Sequence, residues 1–211
     1  FYLELAEFLG PEIYEYISLS GPSNSSGFGD WFFRQEAFPE LEDNSTEYFE
    51  RYGHHFGKEA MEVYEGVIRH KRKEVGDLLD HWVHRYRLHE YDMIGFTSMF
   101  MQNVPSFALA RRIKALHPSG SIIMGGANCE SPMGEEIAKN VSYIDYVFSG
   151  NALKSLPAFV SHCLAGEREQ CERINGVFSR KNCGPLSEGS DPSDLNPIAP
   201  GGQERAVDEG V

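Results

Sequence analysis

The stretch YDMIGFTSMFMQNVPSFALARRIKALHPSGSIIMGG, residues 91–126, decides the fold class. It contains an apolar run that ends in small polar residues (DMIGFTS), an amphipathic helix pattern (PSFALARRIKALH) and a second apolar run that ends in two glycines (SIIMGG). Short apolar runs bounded by turn residues are typical of buried strands, and apolar residues three to four positions apart indicate a helix. This order predicts a β-α-β unit with parallel strands.

The same alternation continues beyond the two glycines. A helix pattern (MGEEIAKNV) is followed by a strand pattern (IDYVFSG), a second helix pattern (LKSLPAFVSHCLAG) and a closing strand pattern (INGVFSR). Strands that alternate with helices of this length imply right-handed crossovers. We therefore expect an α/β fold over residues 91–181, with a Rossmann-like (flavodoxin-like) parallel sheet flanked by helices.

Residues 1–90 have a different texture and are predicted to form a mostly helical N-terminal region. Asp30 is a plausible N-cap for the aromatic segment WFFRQEAF, which we expect to pack in the core rather than to clamp a ligand. The longest helix is predicted from Lys58 to about His89, where apolar residues follow helical spacing. Gly66 and Gly76 weaken this pattern, so the helix could break there.

The two ends of the chain carry weaker signals. Gly, Pro, Ser and charged residues fill residues 182–211, and we expect a loop or a disordered tail. The sequence starts with Phe1, so we expect that the true beginning of the protein, including a first strand of the sheet, precedes it.

Composition limits the possible partners. The formal charge is −13, with 32 acidic residues against 19 Lys and Arg, so neither a nucleic-acid groove nor an anionic membrane surface is expected as a partner. No stretch reaches the roughly 20 apolar residues of a membrane span, and no signal peptide is recognisable. The 4 cysteines form no CxxC pair, which favours a cytoplasmic chain with reduced thiols.

Three predicted strands end in small or hydroxyl-bearing residues. These ends are Gly95–Met99, Gly125–Glu130 and Ser149–Asn151. Ligands of open parallel sheets bind outside the carboxyl ends of the strands, and glycines let a ligand lie against bare backbone. One such end alone would more often be a simple tight turn, whereas three in register favour a site. Neither a G-x-G-x-x-G fingerprint nor a P-loop is present.

The same residues carry a resemblance to a known family. The segment 91–150, with its GGANCE-x-PMG run, resembles the cobalamin-binding domain of B12-dependent radical SAM enzymes, and within them the ribosomal-peptide (RiPP) maturation radical SAM family. Weaker similarity extends to the helix at the start of the chain and to INGVFSR. The resemblance implies a Rossmann-like domain that holds cobalamin, a cofactor that carries a methyl group in these enzymes.

The resemblance also implies a cofactor site in two parts. The slot for the nucleotide tail would be lined by Thr97, Ser98, Met99, Gly125 and Gly126. The rim near the corrin would be lined by Gln102, Asn103, Ala127, Asn128, Cys129, Glu130, Ser149 and Gly150. A large side chain at Gly126 should then abolish cobalamin retention while the protein stays folded. Cys129 is expected to line this site, close to a helix N-terminus, where the pKa of a thiol falls.

The chain departs from the family pattern at three places. The D-x-H-x-x-G motif that supplies a lower axial histidine is absent, as it is in the RiPP subgroup, so cobalt is expected to have no protein histidine ligand. Asn151 replaces the glutamate of the family's Ser-Gly-Glu run, which puts a polar contact at that rim in doubt. No C-x-x-x-C-x-x-C motif is present, so S-adenosylmethionine and a [4Fe–4S] cluster would belong to a further domain.

These features predict a cobalamin-binding domain without its radical SAM barrel, which by itself carries no catalytic residues. The barrel and a precursor peptide are the expected partners, and methyl transfer is the expected reaction of the whole enzyme. His81 and His84 share a helix face, but two histidines without a carboxylate make a weak metal site, and none is predicted. The alternative is a cofactor-free flavodoxin-like interaction domain. A receiver domain is disfavoured, since Asp92 and Asp145 precede their strands.

Overall fold

The computed structural model describes residues 2–19 and 25–183. The predicted tail, residues 182–211, lies outside this range from residue 184 onward. Nine α-helices are assigned within the described ranges: α1 Tyr2–Leu9, α2 Pro11–Leu19, α3 Phe28–Ala37, α4 Ser45–Tyr52, α5 Lys58–Arg85, α6 Asn103–Leu116, α7 Met133–Asn140, α8 Ala152–Leu164 and α9 Arg168–Cys171. Short 3-10 turns follow at Gly53–Phe56, Leu88–Glu90 and Ala127–Cys129. None of the described helices is both long enough and apolar enough to cross a membrane.

Four strands form one open sheet in the order β1-β2-β3-β4. Their bounds are β1 Met93–Thr97, β2 Ser121–Gly125, β3 Tyr146–Phe148 and β4 Val177–Phe178. The first three are parallel, and this confirms an α/β fold with a mostly parallel sheet flanked by helices. Their carboxyl ends therefore lie at one edge, which we call the carboxyl edge, and their amino ends lie at the opposite, amino edge.

The predicted direction of the closing strand is wrong, because β4 is antiparallel to β3 and not parallel to it. The sequence suggested one helix between these strands, but the short helix α9 follows α8. Beyond α9 the chain returns to the carboxyl edge, where the Ser149 N–H donates to the Gly176 carbonyl at 2.8 Å. Since β4 starts at that edge, it runs toward the amino edge.

One face of the sheet packs into a core that also contains the N-terminal helices. Ile94 and Phe96 of β1 contact the same apolar cluster as the buried aromatic residues of α3. These aromatics, Phe28, Trp31, Phe32 and Phe33, are each at most 5% exposed, which confirms the expected core packing. Residues on both sides of position 90 thus share one hydrophobic core.

The other face of the sheet is only partly covered. Phe159 of α8 is fully buried and packs edge-on against Tyr146 and Phe148 of β3. On β1 the same face is exposed at Gly95 and Thr97. Because α8 covers β3 and leaves β1 uncovered, the described part of the chain has an open sheet face beside the carboxyl edge.

One expectation about the helical region is wrong, namely the Asp30 N-cap, and another, the long helix from Lys58, is confirmed. Helix α3 begins at Phe28, after Gly27 with φ +63°, so Asp30 lies in its first turn and does not cap it. Helix α5 is continuous through both glycines. A Cβ at Gly76 would lie 2.9 Å from Arg112 Nη2 and 3.1 Å from Glu36 Oε1, so this glycine makes room for an ion pair between α3 and α6.

Candidate functional site

Two predicted site residues lie side by side on the open sheet face. Thr97 of β1 and Gly125 of β2 are register partners at the carboxyl ends of their strands. Side chains alternate between the faces of a strand, so both belong to the face that carries exposed Gly95. Phe148 comes next on β3, and its Cβ would lie 3.6 Å from a Cβ at Gly125. The surface of the sheet here therefore carries small residues on β1 and β2 and an aromatic side chain on β3.

Ser98, in contrast, is turned inward and fully buried. Its hydroxyl donates to Asn103 Oδ1 at 2.6 Å and accepts from Asn128 Nδ2 at 3.1 Å. Its backbone N–H donates to the Gly125 carbonyl at 2.7 Å. The structure therefore brings these predicted residues together, but the Ser98 hydroxyl is used to fasten the loop after β1 to the loop after β2.

Gly126 is required by this junction. Its φ is +105°, and a Cβ there would overlap the Ser98 carbonyl oxygen and lie 2.9 Å from the Ser98 nitrogen. We therefore expect a Gly126→Phe protein to be destabilised rather than to stay folded with only its ligand lost, because any side chain meets the backbone of the neighbouring loop. Gly125 differs, since its Cβ would make only ordinary van der Waals contact with Phe148. The fold needs glycine at 126 but not at 125.

The loop after β1 holds an exposed aromatic ring in an uncommon backbone conformation. Phe100 has φ +50° and is 79% exposed. Its carbonyl accepts from Asn128 Nδ2 at 2.7 Å, and the Met99 N–H donates to Gln102 Oε1 at 2.9 Å. A left-handed conformation in a residue other than glycine persists only where surrounding contacts impose it. Predicted residues Gln102 and Asn128 thus maintain the shape of this loop.

At the third strand end the structure brings together three further predicted residues. Glu130 Oε2 accepts from the Gly150 N–H at 3.0 Å and from the Ser149 hydroxyl at 3.2 Å. The Ser131 N–H donates to Ser149 Oγ at 3.0 Å. A polar contact therefore exists at this rim, although Asn151 replaces the glutamate of the family. Asn151 instead caps α8 by accepting from the Leu153 N–H at 2.9 Å.

Ala127 and Cys129 follow Gly126 but lie in opposite environments. Ala127 is exposed, whereas Cys129 is fully buried in the main core. Burial raises the pKa of the Cys129 thiol to about 11, so the expected fall of this pKa is wrong. Cys129 therefore packs in the core and does not line the exposed part of the carboxyl edge, which other residues form.

Exposed apolar side chains surround the carboxyl edge, a feature that sequence reasoning only partly found. Members of this set, which we call the apolar rim, follow the ends of β1, β2 and β3 and are Met99, Phe100, Met133 and Leu153, between 43% and 81% exposed. The sequence does not single out Met133 and Leu153, because each falls within a predicted helix pattern. Their signal is that each lies within the first two residues of a helix that follows a strand-end loop.

The described residues define an α/β protein whose candidate ligand edge combines small residues, a fixed loop and an apolar rim. Among these residues, no three His, Cys, Asp or Glu side chains are grouped so that they could hold a metal ion. No protein-family model matches the chain, and no curated protein or solved structure is significantly similar to it. The assignment of the fold class therefore rests on the observed helices and the mostly parallel sheet alone.

Proposed function

We propose that this chain is a cobalamin-binding domain of the Rossmann-like kind, which receives the nucleotide tail of the cofactor on the open sheet face. The observation that carries this proposal is the register pairing of Thr97 with Gly125 on that exposed face. A flat ligand can approach the backbone there because both neighbouring strands carry small residues. The Thr97 hydroxyl can both donate to and accept from such a ligand.

The steric roles of the two glycines support this location. Gly126 is explained by its contact with Ser98, so it gives no information about a ligand. Gly125 is half-buried, and a methyl group would fit there. The packing of the described residues does not require glycine at position 125. A ligand that lies against β2 would require it, because a side chain there would occupy the ligand's space. The tail slot is therefore centred on Thr97 and Gly125 rather than on Ser98 and Gly126.

The apolar rim supports the second half of the proposal. Large apolar side chains that cluster at one exposed place commonly mark a surface that binds something. A corrin ring has broad apolar faces and an amide-bearing edge, so it would suit Phe100 and Met99 together with the polar Glu130–Ser149 contact. The left-handed backbone conformation of Phe100 costs on the order of 1 kcal/mol, and contact between its exposed ring and a cofactor would explain why this conformation is kept.

Cobalamin would supply a cobalt atom that carries a methyl group. The residues of this chain would bind the tail, orient the corrin and exclude water from one of its faces. A radical SAM barrel and a precursor peptide are the partners that this proposal implies, and S-adenosylmethionine and a [4Fe–4S] cluster would belong to the barrel. The complete enzyme would act in the maturation of ribosomal peptides, with methyl transfer as its reaction.

The test is retention of cobalamin by the full chain. Purified protein is mixed with hydroxocobalamin, desalted and examined by visible absorption. We expect retention by the wild type and at least a tenfold loss in Gly125→Val, because the branched side chain would fill the slot. Gly66→Val is the matched control, since a Cβ at Gly66 meets no atom within 4 Å and the position lies on α5. Circular dichroism establishes that both variants are folded.

The alternative is a cofactor-free interaction domain that uses the same edge. It is favoured by the internal hydrogen bonds of Ser98, Asn103 and Asn128, which leave the Ser98 hydroxyl committed to protein partners. If wild type and Gly125→Val both emerge from desalting without corrin absorbance, the cobalamin proposal is wrong and this alternative stands. Equal retention by both proteins would instead show that the slot lies elsewhere.

A further inference from the structure

A cavity of about 310 Å³ opens at the amino edge, opposite the candidate cobalamin site. It lies between the start of β2, the start of β3, helix α9 and the residues that follow β4. Its charged lining consists of Lys114, Asp145, Arg168, Glu172, Arg180 and Lys181. Four cations face two carboxylates in a chain of net charge −13, so this cavity concentrates positive charge in an acidic protein.

Both carboxylates of the cavity are already engaged. Asp145 Oδ2 lies 2.7 Å from Lys114 Nζ and also accepts from the Ile122 N–H at 2.7 Å. Glu172 Oε1 lies 3.2 Å from Lys181 Nζ. These contacts neutralise the two lysines and hold Lys114 and Asp145 against the start of β2. The remaining positive charge of the cavity belongs to two arginines.

Arg168 and Arg180 are exposed, and neither is ion-paired with a carboxylate in residues 2–19 or 25–183. They approach the cavity from different elements, one from α9 and one from the segment after β4. A guanidinium is a planar fork of donors that binds carboxylate and phosphate oxygens in pairs. Ser119, Ser121 and Tyr146 also line the cavity and provide neutral donors.

We propose that this cavity is a binding site for a small molecule that carries a phosphate or carboxylate group, with Arg168 and Arg180 as the groups that hold the anion. Its volume is at the lower end of small-molecule pockets, so a metabolite fits better than a polymer. The site lies at the other edge of the sheet from Thr97 and Gly125, and it therefore does not depend on the cobalamin proposal.

The test is calorimetric titration of the full chain with pyrophosphate and, separately, with citrate at matched pH and ionic strength. We expect the wild type to bind at least one of these probes, and the preferred probe distinguishes phosphate from carboxylate recognition. Arg168→Ala and Arg180→Ala should each weaken binding by about tenfold or more, because each removes a charge-assisted contact. Arg173→Ala is the matched control, since Arg173 is exposed on the same segment but does not line the cavity.

Three results would overturn the proposal. These are the absence of binding heat for both probes, unchanged affinity in the Arg168→Ala/Arg180→Ala double variant, and an equal loss in the Arg173→Ala control. The last result would show that the anion responds to overall charge. Because both arginine side chains are exposed, the variants should unfold at the wild-type temperature. An Arg180→Lys variant should keep part of the affinity, which separates loss of charge from loss of the fork geometry.

Discussion

The Asp30 carboxylate on α3 accepts a hydrogen bond from the Val104 N–H at the start of α6, with 3.1 Å between Oδ1 and nitrogen. The first amides of a helix have no partner within the helix, and an acidic group near them is also favoured by the helix dipole. Asp30 therefore caps a helix that starts more than seventy residues later, and it fastens the N-terminal region to the first turn of α6.

Removing this cap should weaken the fold. Asp30→Ala should lower the free energy of unfolding by about 1 kcal/mol, because the Val104 N–H loses its acceptor. Asp30→Asn keeps an acceptor oxygen and should lose less. Urea unfolding of the three proteins measures both effects. Equal stability of Asp30→Ala and wild type would show that water replaces the carboxylate without cost.

The same carboxylate gives a prediction for pH. Burial raises the pKa of Asp30 above its usual value of 3.8, and the Val104 N–H opposes this only in part. The folded state therefore binds the proton more tightly than the unfolded state. The stabilising contribution of this group is complete below pH 3.8 and falls as pH rises through the raised pKa. The stability of wild type relative to Asp30→Asn should decrease across that window, and a constant difference would contradict this.

Two glycines of α5 should respond in opposite ways to alanine. Gly66→Ala should stabilise the protein by about 0.5–1 kcal/mol, because alanine favours the helix and a Cβ there meets no atom within 4 Å. Gly76→Ala should give no such gain, since its methyl would press on Arg112 and Glu36. Thermal unfolding of the two variants measures the difference. A gain at position 76 equal to that at 66 would show that the ion pair moves aside freely.

The strand-end glycines give a second matched pair. Gly126→Ala should cost more than about 1 kcal/mol, since its φ of +105° and the Ser98 backbone both exclude a side chain. Gly125→Ala should change stability by less than about 1 kcal/mol in either direction. Urea unfolding tests this pair without any ligand. Equal losses at both positions would remove the steric argument for the proposed slot at Gly125.

The Cys163 and Cys171 thiols should form a disulfide on mild oxidation, because their sulfur atoms lie 3.6 Å apart. A diazene oxidant such as diamide would take two electrons and two protons from the pair, so the chain should lose the mass of two hydrogen atoms. Burial raises the pKa of Cys171 to about 12, so its reactive thiolate is scarce at neutral pH and becomes more abundant only as pH rises toward that value. Cys163→Ser should abolish the mass change and Cys183→Ser should preserve it. A disulfide in the Cys163→Ser protein would contradict the pairing.

Local sequence patterns predicted most of the secondary structure. The apolar runs before Thr97 and Gly125 formed parallel strands, and the helix pattern between them formed α6. The direction of β4 was not predictable, because it depends on the short helix α9 and on where the returning chain meets Ser149. Strand direction is a property of the whole connection, whereas an apolar run reports only that a strand is buried.

The candidate site divides in the same way. Its residue types and their positions at strand ends came from the sequence, which determined that Thr97, Ser98, Gly125 and Gly126 meet at one edge. Only the tertiary structure decided that Ser98 turns into the core while Thr97 and Gly125 remain on an open face. Alternation along a strand assigns two faces but does not say which one other elements cover. That choice follows from the position of α8, which covers β3 and leaves β1 exposed.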